Sequence, residues 1–123
     1  MPGSGSPASI QVYDRLGKPA FRLPGETRFG IGVTALYFNP LNDSPSLHKY
    51  DARTYRHIDR NFGPDPVGDA ATMAAEDPID PATWRWTSAD SLFLAVVDEA
   101  HARGIRVIMD YSWNHTGMTF WAW

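Results

Sequence analysis

Two short apolar runs bracket a longer amphipathic stretch, and these three patterns predict most of the regular structure. Residues 32–39 read Gly-Val-Thr-Ala-Leu-Tyr-Phe-Asn, and residues 105–109 read Ile-Arg-Val-Ile-Met. Near-continuous apolar runs of this length, with β-branched and aromatic members, are typical of strands that are buried on both faces in a parallel sheet. We therefore predict one strand at each run.

Residues 87–104 carry the start, periodicity and stop signals of a helix. Thr87 is suited to the N-cap position, and Asp90 follows three residues later, as a capping box requires. Gly104 is suited to the position just after the last turn. The apolar residues between these signals have helical spacing: Phe93, Val96, Val97 and Ala100. The pattern predicts one helix that ends directly before the second strand.

Residues 41–80 form a long stretch without clear periodicity, rich in Pro, Asn, Asp and Gly. Compact domains rarely contain so long an irregular connection without a functional reason, so we interpret it as a binding loop or excursion. A short helix at about residues 69–76 is compatible with the sequence. The order strand, excursion, helix, strand predicts one βαβ unit with a right-handed crossover.

The first 31 residues differ in character from the rest of the chain. Residues 1–7 have the Gly/Ser/Pro composition of a disordered leader, and residues 10–23 fit a hairpin. Residues 1–9 lack a cationic start and an apolar core, so no secretory signal is predicted. We expect two parts, a hairpin-like or disordered segment over residues 1–31 and a folded α/β part over residues 32–123.

Charge and composition exclude several function classes. The formal net charge is −3 and the Lys and Arg residues are scattered, so we expect no nucleic-acid partner. No apolar run reaches transmembrane length, so we expect no membrane partner. The absence of Cys excludes disulfides and thiolate metal sites. Five Trp residues either fill a core or cover the apolar faces of sugars, and composition leaves both interpretations open.

Polar and aromatic residues crowd the ends of both predicted strands. In parallel α/β folds, ligands bind beyond the carboxyl ends of the strands, and one βαβ unit brings two such ends to the same edge. Two clusters at corresponding ends therefore favour a binding site over unrelated structural groups. Their members are Asn39, His48, Lys49, Tyr50 and Asp51 after the first strand, and Asp110, Tyr111, Trp113, Asn114 and His115 after the second.

The second cluster, Asp110-Tyr-Ser-Trp-Asn-His115, resembles the Asp-x-x-x-Asn-His signature that ends the third barrel strand in the α-amylase superfamily (glycoside hydrolase family 13). Residues 32–40 resemble the second barrel strand. Ser-Leu-His-Lys-Tyr-Asp at residues 46–51, with Ile-Asp at 58–59 and Phe-Gly at 62–63, resembles the following loop of neopullulanase-like and cyclomaltodextrinase-like members. Residues 98–107 resemble the helix that leads into strand three, so the motifs also agree in order.

The resemblance implies an α/β fold that is a fragment of a (β/α)8 TIM barrel. The chain would supply about strand 2 to strand 3, with the connecting helix and a long loop. It implies a hydrolase of carbohydrate metabolism, a glycosidase of α-amylase type, that carries out retaining hydrolysis or transfer at α-glucosidic bonds. The expected partner is an α-glucan oligosaccharide or polysaccharide.

The resemblance also implies roles for individual residues. His115 would hydrogen-bond the sugar in the subsite that donates the glycosyl group, Tyr50 would stack on that ring, and Asp51 would bind or orient neighbouring groups. Asp110 would be structural and brace the loop end through hydrogen bonds. Asn114 corresponds to a calcium ligand in many relatives, so calcium is the one cofactor the resemblance implies. One amide cannot complete a calcium site of six to eight oxygen ligands.

Retaining glycosidases need two carboxyl groups about 5–5.5 Å apart. In the family the nucleophile, the acid/base and a third acid come from later strands, which would lie beyond Trp123. Asp51, Asp59 and Asp110 do not match those positions, so we expect no catalytic residue in this chain and no activity from the chain alone.

Two alternatives remain open. A non-catalytic relative of the same barrel would bind sugar or serve as a transporter-associated subunit. A small independent α/β domain would require several ordered motifs to match by coincidence.

Two segments depart from the family pattern. Residues 1–31 lack its aromatic-rich first strand and the helix that follows. Residues 64–86 are longer than the shortest relatives need. We expect Trp84 and Trp86 in that insert to pack it onto the barrel rather than to line a sugar groove, because aromatic side chains most often anchor cores.

Overall fold

The long connection between the two strands is organised around short turns and two helices. A computed structural model describes residues 33–123, so the hairpin predicted at residues 10–23 and the leader lie outside it. Residues Ala35–Trp123 form one compact unit. Its elements are the strand β1 (Ala35–Phe38), a 3-10 turn (Arg60–Phe62), the helix α1 (Pro66–Ala74), a second 3-10 turn (Pro81–Thr83), the helix α2 (Ser88–Ala102) and the strand β2 (Arg106–Met109).

The two strands pair in parallel, as predicted. Ala35 lies opposite Arg106 and Phe38 opposite Met109, and the amide of Asp110 donates to the carbonyl of Phe38 at 3.0 Å. Both strands are shorter than the apolar runs that predicted them. Parallel pairing across a helical crossover is the α/β arrangement expected from the sequence.

The prediction that both faces of the strands are buried is wrong for the described residues. Exposed and half-buried side chains alternate along each strand, and Tyr37 is 63% exposed. The physical reason is that α2 covers one face of this two-stranded sheet. Edge-to-face contacts of Phe93 with Phe38 and Phe62, at ring-centre distances of 5.6 and 6.0 Å, form the centre of the core on that face.

The helix α2 begins at the predicted cap. The Thr87 hydroxyl accepts from the Asp90 amide at 3.0 Å, and the Asp90 carboxylate accepts from the Thr87 amide at 3.1 Å. Asp69 of α1 accepts from the amides of Ser88 and Ala89 at 2.6 and 3.0 Å. The first turn of α2 therefore has partners for amide groups that a helix leaves unpaired.

The end of α2 also matches the expected signal. Gly104 follows the helix with φ of +70°, in the left-handed region that favours glycine. The amide of Ile105 donates to the carbonyl of Ala100 at 2.9 Å, which closes the last turn. The chain then enters β2 directly.

The short helix α1 lies three residues nearer the N-terminus than its predicted start. Asp65 caps it by accepting from the Gly68 amide at 2.9 Å, and Pro66 occupies the first turn, where a missing N–H is tolerated. The apolar spacing alone did not reveal this cap.

The stretch before α1 is held by an isolated antiparallel bridge between Asn42 and Ile58. The amide of Asp59 donates to the carbonyl of Leu41 at 2.7 Å, and the amide of Asp43 donates to the carbonyl of His57 at 3.2 Å. The largest side chains that are almost fully buried in the described unit are polar: His57, Asp43 and Asp59. Polar networks, more than apolar packing, therefore organise the excursion.

Within residues 33–123, no helix combines the length and the apolar character needed to cross a membrane. The predicted division of the chain at residues 31 and 32 lies at the edge of the described part and stays a prediction.

Candidate functional site

The two polar clusters that follow β1 and β2 meet at the carboxyl edge of the sheet. The Tyr50 hydroxyl donates to the Asp110 carboxylate at 2.6 Å, although the two residues are 60 positions apart. The Ser112 hydroxyl donates to the Tyr50 carbonyl at 2.8 Å. These contacts fix the loop after β1 against the loop after β2.

The hydrogen bond to Asp110 raises the pKa of Tyr50, and partial desolvation and the Asp110 charge add to the shift. Tyr50 therefore stays a neutral phenol at physiological pH. Its ring is 39% exposed and stacks beside the His48 ring, with 6.0 Å between the ring centres. The exposed part of this ring is available to a ligand, while its hydroxyl is held by Asp110.

Asp51 is held as a carboxylate by two serines. The hydroxyl of Ser44 donates to its Oδ1 at 2.6 Å, and the hydroxyl of Ser46 donates to the same oxygen. These two hydrogen bonds lower the pKa of Asp51. About a third of the side chain is exposed, so the carboxylate is both fixed and accessible to hydroxyl donors.

The backbone beside Tyr50 is kept in an unusual conformation. Lys49 has φ of +60°, a left-handed conformation that side-chain-bearing residues rarely adopt. Its ammonium group lies 2.7 Å from the buried carboxylate of Asp59, which also accepts from the Ser44 amide at 3.2 Å. Burial raises the pKa of Asp59, but the Lys49 ammonium and backbone donors outweigh it and lower the pKa overall. Asp59 thus anchors the segment between Ser44 and Lys49, which leads directly into Tyr50 and Asp51.

His115 and Asn114 lie in a neighbouring cavity of about 420 Å³, and both are exposed. The Tyr55 hydroxyl lies 2.7 Å from the carbonyl of Ser112 and 3.1 Å from the carbonyl of His115. The Ser112 hydroxyl, which binds the Tyr50 carbonyl, also lies 3.3 Å from the His115 carbonyl. Backbone contacts therefore place His115 beside the Tyr50 loop with its imidazole open to a ligand.

Three aromatic rings line one side of this region. The Tyr55 ring packs 6.0 Å from Tyr111 and 6.3 Å from Trp113, and those two rings stack at 5.0 Å. Trp113 is 84% exposed. Exposed, stacked rings beside hydroxyl and carboxylate groups form the kind of surface that binds the apolar faces of sugars.

The residues described here do not by themselves fit a calcium ion at Asn114. Among residues 33–123 there is no group of three or more His, Asp or Glu side chains that could hold a metal. Calcium takes six to eight oxygen ligands, and Asn114 contributes one amide oxygen. Calcium at Asn114 stays a prediction.

Sequence reasoning missed several residues that build the site. Tyr55, Ser44, Ser46 and Ser112 carry the hydrogen bonds that fix the two loops. Gly117 was also missed: a Cβ there would lie 2.6 Å from the Asp51 carbonyl, so the two backbones are in close contact. Serines and a glycine in a loop carry no periodic signal, so nothing in the sequence distinguished them from other loop residues.

A second cluster, around His57, lies behind the site and was also missed. The His57 ring is almost fully buried, with Nδ1 at 2.7 Å from Asp90 and Nε2 at 2.8 Å from Glu76. Trp84 stacks flat on it, with 5.5 Å between ring centres, and donates from Nε1 to the Arg56 carbonyl at 3.2 Å. Trp84 therefore packs the insert against the loop after β1, whereas Trp86 contacts Trp84 edge-on and stays 60% exposed. The predicted packing of the insert onto a barrel stays a prediction.

Comparison with known proteins finds relatives that align with about three-quarters of this chain. It is 40% identical over 92 residues to neopullulanase 2 of Thermoactinomyces vulgaris, covering 75% of this chain and 12% of the relative. It is 36% identical over 90 residues to a cyclomaltodextrinase of a Bacillus species, covering 73% of this chain and 12% of the relative. It is 36% identical over 87 residues to the amylopullulanase of Thermoanaerobacterium thermosulfurigenes, covering 71% of this chain and 3% of the relative.

The chain therefore spans about an eighth or less of the length of these relatives. No family model matches it, and no solved structure matches it. The names of the relatives are those of glycosidases of amylase type.

Proposed function

We propose that the chain is part of an α-glucan-active glycoside hydrolase of the α-amylase superfamily, which carries out retaining hydrolysis or transfer at α-glucosidic bonds. In this proposal residues 32–123 supply strands 2 and 3 of a (β/α)8 barrel with the connecting helix and loop. Support comes from the parallel βαβ unit, the ordered motifs, and relatives named neopullulanase, cyclomaltodextrinase and amylopullulanase.

The observation that carries the proposal is the hydrogen bond between Tyr50 and Asp110. It joins the ends of two adjacent parallel strands, which is where ligands bind in barrels of this type. In the proposed site Tyr50 stacks on a glucose ring, Asp51 accepts from sugar hydroxyls, and His115 donates to them. Asp110 braces the Tyr50 loop.

We further propose that the described residues bind glucan but do not contain the catalytic carboxylate pair. A general acid at neutral pH requires a raised pKa, yet the pKa values of Asp51 and Asp59 are both lowered. Asp110 is engaged by Tyr50. The chain alone is therefore expected to bind glucan without hydrolysing it.

A non-catalytic sugar-binding or transporter-associated relative is the second candidate. The fixed carboxylates of Asp51 and Asp59 favour it, because carboxylates held by serines and lysine suit binding better than proton transfer. Binding by the isolated chain supports both candidates, so hydrolysis must be measured as well.

The test is a titration of the isotope-labelled chain with maltoheptaose, followed by backbone amide NMR. We expect saturable shifts at Tyr50, Asp51 and His115, and their loss in His115→Ala. His101→Ala is the matched control, since His101 is an exposed histidine in the last turn of α2. Cellohexaose, with β-linkages, should leave these amides unshifted.

Equal shifts with both sugars, or maltoheptaose shifts confined to other residues, would contradict the binding proposal. Reducing-sugar release from maltoheptaose is measured on the same samples. Hydrolysis that disappears in His115→Ala would mean that a carboxylate pair does exist in the chain.

A further inference from the structure

His57 makes side-chain and backbone contacts with three segments of the chain. Besides the contacts of Asp69 with the start of α2, the His57 ring joins these segments: it lies between Asp90 in the first turn of α2 and Glu76, two residues after α1. Its own backbone carbonyl accepts from the Asp43 amide at 3.2 Å and from the Asn42 side chain at 3.3 Å. The insert, the crossover helix and the loop after β1 all converge on this residue.

The proton count at the ring decides its charge. A neutral imidazole carries one N–H, and its other nitrogen only accepts. Both nitrogens of His57 face carboxylate oxygens, at 2.7 and 2.8 Å, so a neutral ring would set a lone pair against Asp90 or Glu76. Two buried carboxylates also need a cation beside them. Between two ionised carboxylates, the geometry therefore favours an imidazolium.

The charges around the ring agree with this assignment. Arg56 lies 3.3 Å from the Glu76 oxygen that also contacts His57. Two cations, His57 and Arg56, thus face two anions, Asp90 and Glu76, and Trp84 covers the ring. Burial lowers the pKa of His57, but the hydrogen bonds to Asp90 and Glu76 and their charges outweigh it and raise the pKa overall.

Hydrogen bonds, linked by the backbone between Ile58 and Asp59, lead from this ring to the loop that carries Asp51. The Ile58 amide donates to Asp90 at 2.8 Å, which fixes the backbone beside His57. The next residue, Asp59, holds the Lys49 ammonium and the Ser44 amide. The Ser44 hydroxyl in turn holds Asp51.

We propose that His57, as a buried imidazolium, is a positioning residue for the glucan site. It fixes residues 56–59 against α2 and the insert, and through Asp59 it holds Ser44 and Asp51 in their sugar-facing arrangement. This inference rests on the proposed function for its ligand. Loss of the ring proton as the pH rises releases one of the two carboxylate contacts and loosens the loop.

The first experiment measures the ring directly, by nitrogen-15 NMR of the whole chain. We expect two ring N–H protons from His57 at neutral pH, both protected from exchange, and both absent in His57→Gln. On alkaline titration of the wild-type chain, the amides of Ser44 and Asp51 should shift together with loss of the His57 ring proton. A ring with one N–H in the folded chain, or amides that ignore its titration, would overturn the proposal.

The second experiment measures binding. Maltoheptaose affinity should fall about tenfold in His57→Gln, a change equivalent to about 1.4 kcal/mol, and stay unchanged in the control His101→Gln. In the wild type, affinity should fall over the same pH range in which His57 loses its proton. Unchanged affinity in a folded His57→Gln chain would refute the positioning role.

The two proposals fail differently. If the wild-type chain binds no glucan while Ser44 and Asp51 still follow the His57 titration, the proposed function fails and the control of the loop by His57 stands. If glucan binds but those amides do not follow His57, the proposed function stands and the positioning role fails. The titration uses the wild-type chain, so it remains decisive even if His57→Gln does not fold.

Discussion

Replacing Asp90 with Asn is the sharpest test of the buried network, because the two side chains have the same shape. One Asp90 oxygen accepts from the Ile58 amide at 2.8 Å, and the other faces His57 at 2.7 Å and the Thr87 amide at 3.1 Å. In either orientation of the Asn amide, its NH₂ group therefore meets an N–H donor. No rotation of the side chain restores the original bonds.

The expected loss of stability follows from those contacts. Loss of the charge-assisted bond to His57 costs about 1.5–3 kcal/mol, and a buried backbone donor left without an acceptor costs about 1–3 kcal/mol. The sum agrees with the roughly 3–5 kcal/mol measured when one partner of a buried ion pair is removed. We expect Asp90→Asn to lower the free energy of unfolding by that amount, which is a large part of the stability of a small domain.

Urea unfolding followed by tryptophan fluorescence measures this loss, since Trp84 stacks on the His57 ring. With a urea m-value of about 1–3 kcal/mol/M, the midpoint should fall by about 1–5 M. Asp98→Asn is the matched control, because Asp98 is an exposed residue of the same helix and its replacement should cost less than about 0.5 kcal/mol. A loss as small as that in Asp90→Asn would show that the buried charges do not stabilise the fold.

The pH dependence of the same variant provides a second check. Burial raises the pKa of Asp90, but the bonds from His57, Ile58 and Thr87 outweigh it and lower the pKa overall. The stability it provides is therefore present above the unfolded pKa, about 3.9, and is lost as the pH falls through the lower folded pKa. The difference between wild type and Asp90→Asn should shrink in that acid range.

Three further predictions concern the loss of stability at alkaline pH and the contacts of the candidate site. Because the pKa of His57 is raised above 6.5, the stability that its charge provides is complete below that pH and is lost as the pH rises through the folded pKa. The wild-type urea midpoint should therefore fall in that range, and His57→Gln should flatten the decline. Gly117→Ala should lower the free energy of unfolding by about 1–3 kcal/mol, since the added Cβ would lie 2.6 Å from the Asp51 carbonyl. It should also weaken maltoheptaose binding in the amide titration. An unchanged urea midpoint would contradict that contact. Tyr50→Phe should lower the urea midpoint by removing the bond to Asp110, and a variant as stable as wild type would show that this bond contributes no net stability.

Local signals in the sequence predicted the helix α2 well. Thr87, Asp90 and Gly104 act within a few residues of one another, so their pattern alone identifies the start and the end of the helix. The strands were predicted in the right places but with the wrong burial. An apolar run indicates which residues favour a strand, whereas burial depends on what covers each face.

The sequence predicted one part of the candidate site and missed another. The meeting of Tyr50 with Asp110 could be expected, because parallel strands end at one edge of a sheet. The partners of His57 could not, since Glu76 lies 19 residues away and Asp90 lies 33 residues away across an irregular connection. No periodicity links residues at such separations, and a lone histidine carries no sign of its environment.

The contact of Asp69 with the start of α2 limits how this region can be re-engineered. Asp69 belongs to α1, within the insert, yet it provides acceptors for the amides of Ser88 and Ala89. A loop exchange that replaces residues 64–86 with a short connection would remove that acceptor together with Glu76, the partner of His57. A grafted loop must therefore bring its own carboxylate to the helix terminus and a second one to the histidine. The insert and the crossover helix are one module and should be transplanted together.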